Sequence, residues 1–114
     1  MPPEPILDVV FFRTESGTEP VREWLRTLSK ADKLAIGADL KTVQLGWPIG
    51  MPVVRKLASD LWEVRSRLDQ RIARILFTVF ERRMVLLHGL IKKSQKTPQR
   101  DLDLAKRRKT RFKP

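Results

Sequence analysis

Along the chain the spacing of apolar positions changes period several times, and each change predicts an element. Ile6 to Phe12 is rich in β-branched and aromatic residues and reads as a strand. Thr18 then has the character of a helix N-cap, with Glu19 and Pro20 in the first turn. Val21, Trp24, Leu25 and Leu28 follow at i, i+3, i+4 and i+7, one apolar face of a helix. Ser29-Lys30-Ala31-Asp32 resembles a capping box with Asp in the usual Glu position. It opens a second helix whose Ala31, Leu34, Ala35 and Ala38 form a small-residue face suited to close packing on the first. Gly46 and Pro48 end it, and the pair reads as a helical hairpin.

Two glycines and two prolines within Gly46 to Pro52 make a loop. Three strand-like runs come next, Leu61 to Arg67, Arg71 to Phe80 and Arg83 to Ile91, separated by links short enough for hairpin turns. Thr97 and Pro98 open a last helix, Thr97 capping and Pro98 first in the helix, with only Leu102, Leu104 and Ala105 to bury. Residues 107–114 read as a flexible basic tail. The order β, α, α, β, β, β, α predicts a single α+β domain over 1–114. It is an antiparallel sheet with an N-terminal helical hairpin on one face and a short C-terminal helix.

Strand alternation predicts what the other sheet face carries. Glu63, Arg65 and Arg67 share one side of their run, and Ile72, Arg74, Leu76 and Thr78 share one side of the next. On the third run Met84, Leu86, His88 and Leu90 share a side. One face can then be wholly apolar while the other gathers Arg65, Arg67, Arg74 and His88.

Charge sharpens this picture. Residues 1–64 carry 8 Lys or Arg against 9 Asp or Glu, a net of −1, whereas residues 65–114 carry 16 against 4, a net of +12. Such one-sided basicity concentrates polyanions through counterion release and steering, and nucleic acid or ribosome contact is the favoured implication. A solvated basic tail is the plainer alternative. The 114 residues, 41% hydrophobic and 32% charged, suit one folded domain. No apolar run approaches the roughly 18 residues of a membrane span. The opening Met1-Pro2-Pro3-Glu4 lacks the features of a secretory signal. No cysteine is present, which excludes disulfides, thiolate zinc sites and cysteine nucleophiles, and a cytoplasmic address fits.

One histidine, no cysteine and scattered carboxylates give no metal-ligand spacing, and no Gly-rich phosphate loop or nucleophile elbow is present. What remains suits one chemistry. RNA carries its own nucleophile, the 2′-hydroxyl beside the scissile phosphate, so a protein need only align it, move protons and offset charge on the phosphorane, with no cofactor. Guanidinium forks suit phosphate oxygens, and Arg65, Arg67 and Arg74 are the candidates. The same arginines could instead cover apolar sheet with their stems. His88 reads either as a general acid or base or as a hydrogen-bonded structural residue. Lys92, Lys93 and Lys96, with Arg71 and Arg100, are the further candidates for RNA contact. Trp24, Trp47 and Trp62 read as packing residues.

The stretch Leu61-Trp62-Glu63-Val64-Arg65-Ser66-Arg67, Arg74 on the next run, and Val85 to Pro98 with its Gly89-Leu90-Ile91-Lys92-Lys93-Ser94-Gln95-Lys96-Thr97-Pro98 core resemble the RelE/HigB superfamily of toxins. Within it they look most like the phage-derived HigB-like branch. The resemblance runs from Val9 to about Lys106. It implies a microbial-RNase-like α+β fold and a type II toxin that cleaves mRNA on the ribosome. It also implies a cognate helix-turn-helix antitoxin (HigA-like) and operator DNA reached through that antitoxin; no membrane partner is expected from the lack of an apolar span. By position, Arg65, Arg67 and Arg74 match basic residues that bind and polarise the phosphate. His88, Lys92 and Lys93 fall where the family places part of its catalytic and RNA-binding set. Several members use a C-terminal tyrosine, and this chain has none. Without the resemblance, a non-catalytic basic module that binds RNA, ribosomes or DNA remains the competing reading.

Overall fold

The structure, a computed structural model, describes residues 4–114; Met1-Pro2-Pro3, read above for a secretory signal, lies outside the described residues. Its elements are β1 (Asp8–Phe11), α1 (Pro20–Arg26), α2 (Lys30–Gly46), β2 (Val54–Ala58), β3 (Leu61–Leu68), β4 (Arg71–Phe80), β5 (Arg83–Lys92) and α3 (Gln99–Arg111). The fold is the expected α+β arrangement, with α1 and α2 on one face of the sheet and α3 on the other. The five strands lie in the order β1-β5-β4-β3-β2. β2 to β5 form an antiparallel meander, but β1 runs parallel to β5, so the sheet is mixed.

Local signals act largely as their chemistry dictates. The Ser29 hydroxyl accepts from the Asp32 amide, as a helix cap should. The Asp32 carboxylate, however, does not reach back to complete the box; it pairs with Arg71 at 3.1 Å. Two expected caps are displaced. Thr18 is taken up in a turn, its amide donating to the Thr14 hydroxyl, and Glu19 is the α1 N-cap. Pro98, not Thr97, is the α3 N-cap.

α2 corrects a second expectation. Its buried stripe is Ile36, Leu40 and Val43, while Leu34, placed on the packing face by the sequence, is 66% exposed. Burial near 25 cal/mol per Å² rewards the large aliphatic stripe over alanines. α2 lies over β3 and α1 over β5 and β1, so both helices rest on the sheet instead of depending on close mutual contact. Between them and the sheet, Val64, Ala73, Ile75, Phe77, Met84 and Leu86 form the main core. Trp47, Trp62 and Phe77 close one end of it, Trp47 meeting Trp62 edge-on at 5.0 Å. Trp24 lies flat over Gly89, where an added Cβ would come within 3.0 Å of the indole.

The second core lies under α3 and contains Phe12, Leu61, Leu76, Val85, Leu87, Leu90 and Ala105. A β-bulge makes it possible. Leu76 pairs with His88 and Phe77 with Leu86, leaving Leu87 without a partner residue. The bulge switches the parity of β5, so Met84 and Leu86 face α1 and α2 whereas Leu87, His88 and Leu90 serve the α3 side. The expected common side of Met84, Leu86, His88 and Leu90 is thereby corrected. The Leu87 carbonyl released from the ladder accepts from Arg108 Nη1 at 2.8 Å. That bond, and Phe112 edge-on to Phe80 at 6.2 Å, dock the end of α3. The segment expected as a free basic tail from 107 is therefore helical to Arg111.

Candidate nucleic-acid interface

Because β3, β4 and β5 are in register, the α3 side of the sheet can be read in rungs of directly opposed residues. One rung is Arg67–Ile72–Lys92, the next Arg65–Arg74–Leu90, and the third Arg55–Glu63–Leu76–His88. α3 covers the β5 and β4 part of this face. The β3 and β2 part, bordered by the 93–98 segment, keeps Arg55 and Arg67 exposed, and Lys92 at the end of β5 is exposed too.

Beneath those exposed cations lies a buried charge network. Arg74 and Glu63 are both 0% exposed, with Arg74 Nε 4.0 Å from Glu63 Oε1. Arg65 Nε stands 3.7 Å from the same oxygen, its side chain 11% exposed. Thr97 donates its hydroxyl to Glu63 Oε2 at 2.5 Å, which explains why it does not cap α3. Arg74 Nη2 donates to the Ser94 carbonyl, and Arg65 Nη2 donates to the Gln95 side-chain oxygen at 2.9 Å. Glu63 is thus a hub that ties two arginines and the 93–98 segment into one unit. Burial pushes the Arg74 guanidinium below its ordinary pKa, Glu63 opposes that shift, and Arg65 and Arg55 add to it. One carboxylate against Arg55, Arg65, Arg67, Arg74 and Lys92 leaves a surplus of positive charge suited to phosphate.

The other candidates are distributed as follows. His88 Nε2 bonds Asp101 Oδ1 of α3 at 2.7 Å and is largely covered. With a carboxylate as its partner, Nε2 carries a proton and donates it to Asp101. Lys93, Lys96 and Arg100 are exposed in and after the loop. Arg71 lies on the α2 side, ion-paired with Asp32, apart from the other arginines. Two participants were absent from the sequence reading. Arg55 was passed over because β2 was not recognised, although Val53-Val54-Arg55-Lys56-Leu57-Ala58 offers a short strand signal. Glu63 was placed on the correct face but given no role; its company of arginines on that face was the available clue. Among the described residues no three His, Asp or Glu side chains gather as a metal site, and no helix is long and apolar enough to cross a membrane.

A small α+β domain that holds a basic surface on one face of a mixed sheet is the class defined by this geometry. The family described as phage derived protein Gp49-like (DUF891) matches residues 23–110, and the chain belongs to it. That family falls in the RelE/HigB-like toxin group, and its members are commonly toxins of toxin–antitoxin systems, which implies an antitoxin partner. A search of curated proteins found no match.

Proposed function

We propose that the protein is the toxin of a type II toxin–antitoxin pair and acts as a ribosome-dependent mRNA endonuclease. The observation that carries this reading is the Arg65–Glu63–Arg74 network beneath the exposed Arg67 and Lys92 rung. Neighbouring strands are about 4.8 Å apart, so Arg67 and Lys92 start about 10 Å apart and can both reach one phosphate above Ile72. Arg65, held by Gln95 and Glu63, is the second guanidinium at that phosphate.

In the reaction, the 2′-hydroxyl passes its proton to a solvent water as it attacks phosphorus, and Arg65 and Arg67 stabilise the charge on the phosphorane. The bond to the 5′-oxygen breaks, and that oxygen takes a proton from the Lys92 ammonium. The products are a 2′,3′-cyclic phosphate, open to hydrolysis to the 3′-phosphate, and a 5′-hydroxyl. Arg74 touches no substrate in this scheme; it positions Arg65 through Glu63 and the loop through Ser94. His88 is less well placed than Lys92. The two are four residues apart along β5, about 13 Å at 3.3 Å per residue, too far to serve the same phosphate. Lys93, Lys96 and Arg100 extend the cationic track for the flanking RNA or ribosomal RNA.

The cognate antitoxin is taken to be a helix-turn-helix protein that carries the pair to operator DNA, and the site of action to be the cytoplasm. Replacing Arg65 and Arg67 together with Ala tests the assignment. Loss of mRNA cleavage with an unchanged far-UV spectrum supports it; full cleavage by the folded double variant removes it.

A further inference from the structure

The opposite flank of α3 holds a different surface. There a groove of about 1290 Å³ has the outer edge of β1 as its floor, the C-terminal half of α3 as one wall and the start of α1 as the other. The Asp8 and Phe12 amides point inward to the Arg82 and Leu86 carbonyls of the β5 side. With a two-residue period, the backbone groups of Val9 and Phe11 point outward, and among the described residues β1 has no neighbouring strand on that side. Natural edge strands are commonly blunted by lysine, proline or a bulge. β1 reads Asp-Val-Val-Phe and pairs with β5 without a register shift, so its protection is limited to its four-residue length and the charge of Asp8 at its start, and Val9 to Phe11 carry no lysine, proline or bulge.

The α3 wall is cationic, whereas the α1 wall is mixed, with Arg13 and Arg22 beside Glu15 and Glu19. Arg107, Arg111 and Lys113 are exposed along the groove, and none has a carboxylate partner among the described residues. Arg22 lies over the Phe11 ring at 4.4 Å while its Nε donates to Glu19 Oε1 at 2.7 Å, so that side of the floor is apolar and charge-paired.

We infer that this groove is the docking seat of a partner protein, which enters as an extended acidic segment and adds a strand to the free edge of β1. Only a polypeptide matches the alternating N–H and C=O groups of the floor as well as the charge of the α3 wall. A nucleic acid matches the charge alone. A second copy of this chain, with a net charge of +11, would set one basic wall against another. The inference rests on the groove and does not depend on the ribonuclease reading, because β5 and β4 separate this edge from the Arg65 surface.

The test uses the full chain and a fluorescent peptide of about seven residues, long enough to span β1 and Arg13, alternating Asp or Glu with Val or Ile. Saturable binding is expected by anisotropy, with new protection of the Val9 and Phe11 amides against hydrogen exchange. Arg107→Glu with Arg111→Glu, both on exposed side chains, should weaken it by about tenfold or more. N-methylation of alternate peptide amides keeps the charge and removes the strand bonds, and should abolish binding. No saturable binding, equal affinity for the N-methylated peptide, or an unaffected charge-reversal variant would each overturn the inference. So would either alternative occupant. One is a short single-stranded RNA that displaces the peptide and is itself lost in the charge-reversal variant. The other is a dimer in solution that Val9→Pro converts to monomer.

Discussion

Glu63 and Arg74 meet on the diagonal between neighbouring strands, both wholly buried, with Arg65 drawn to the same carboxylate oxygen. Breaking a buried ion pair by removing one charge costs about 3–5 kcal/mol, because the partner is left uncompensated. Glu63→Gln should therefore lose roughly 3 kcal/mol or more in urea unfolding. Glu63→Gln combined with Arg74→Met should lose clearly less than the two single changes added together. Strict additivity in that cycle would show that the two side chains do not act as a unit.

The exposed rung should behave in the opposite manner. Arg67 and Lys92 are exposed, and surface changes of this kind shift stability by about 0.5 kcal/mol or less. Arg67→Ala or Lys92→Ala should nonetheless reduce cleavage by about 10²–10³-fold, the usual loss when a donor to a developing charge is removed. His88→Gln should lower stability through the lost Asp101 bond while leaving the pH profile of cleavage in place. A collapse of cleavage in His88→Gln with Lys92→Ala fully active would reverse the assignment of the proton donor.

Trp24 and Gly89 make a purely steric prediction. A methyl group at residue 89 would come within 3.0 Å of the indole, so Gly89→Ala should cost about 1–3 kcal/mol through overpacking. Adding Trp24→Leu to Gly89→Ala should recover part of that loss. Thermal unfolding of the three variants is sufficient to decide it.

Arg108 anchors α3 at the bulge. Burial lowers its pKa, with Arg107 adding to the shift, yet its guanidinium satisfies the carbonyl that the bulge releases. Arg108→Met should lose about 1–3 kcal/mol, the cost of leaving such a group without its partner. A neutral effect on the unfolding midpoint would mean that the end of α3 contributes nothing to the fold.

These relationships show where sequence patterns were sufficient. The Leu61, Arg71 and Arg83 runs are long, β-branched and joined by short turns, so the meander was legible. Arg65, Arg67 and Arg74 could be placed on one face by period two alone, since β3 and β4 pair without a bulge. β2 was hidden because Arg55 and Lys56 interrupt a five-residue edge strand just after a proline loop. The bulge at Leu87 left no local mark; a run of six apolar residues and one histidine looks the same in either parity. Thr97 has the chemistry of a cap, and only the fold reveals that a buried carboxylate competes for its hydroxyl. Whether α3 is anchored likewise depends on Leu87, far from it in sequence.

The central claim is cleavage of mRNA by the Arg65, Arg67 and Lys92 surface in the ribosomal context. Primer extension on a defined mRNA, with purified protein and with or without translating ribosomes, tests it most directly. The account predicts cuts in register with codons when ribosomes are present, 5′-hydroxyl ends on the downstream fragments, and no cuts with the Arg65→Ala, Arg67→Ala double variant. Blocked translation with intact mRNA would contradict it and identify this face as a binding surface without catalysis.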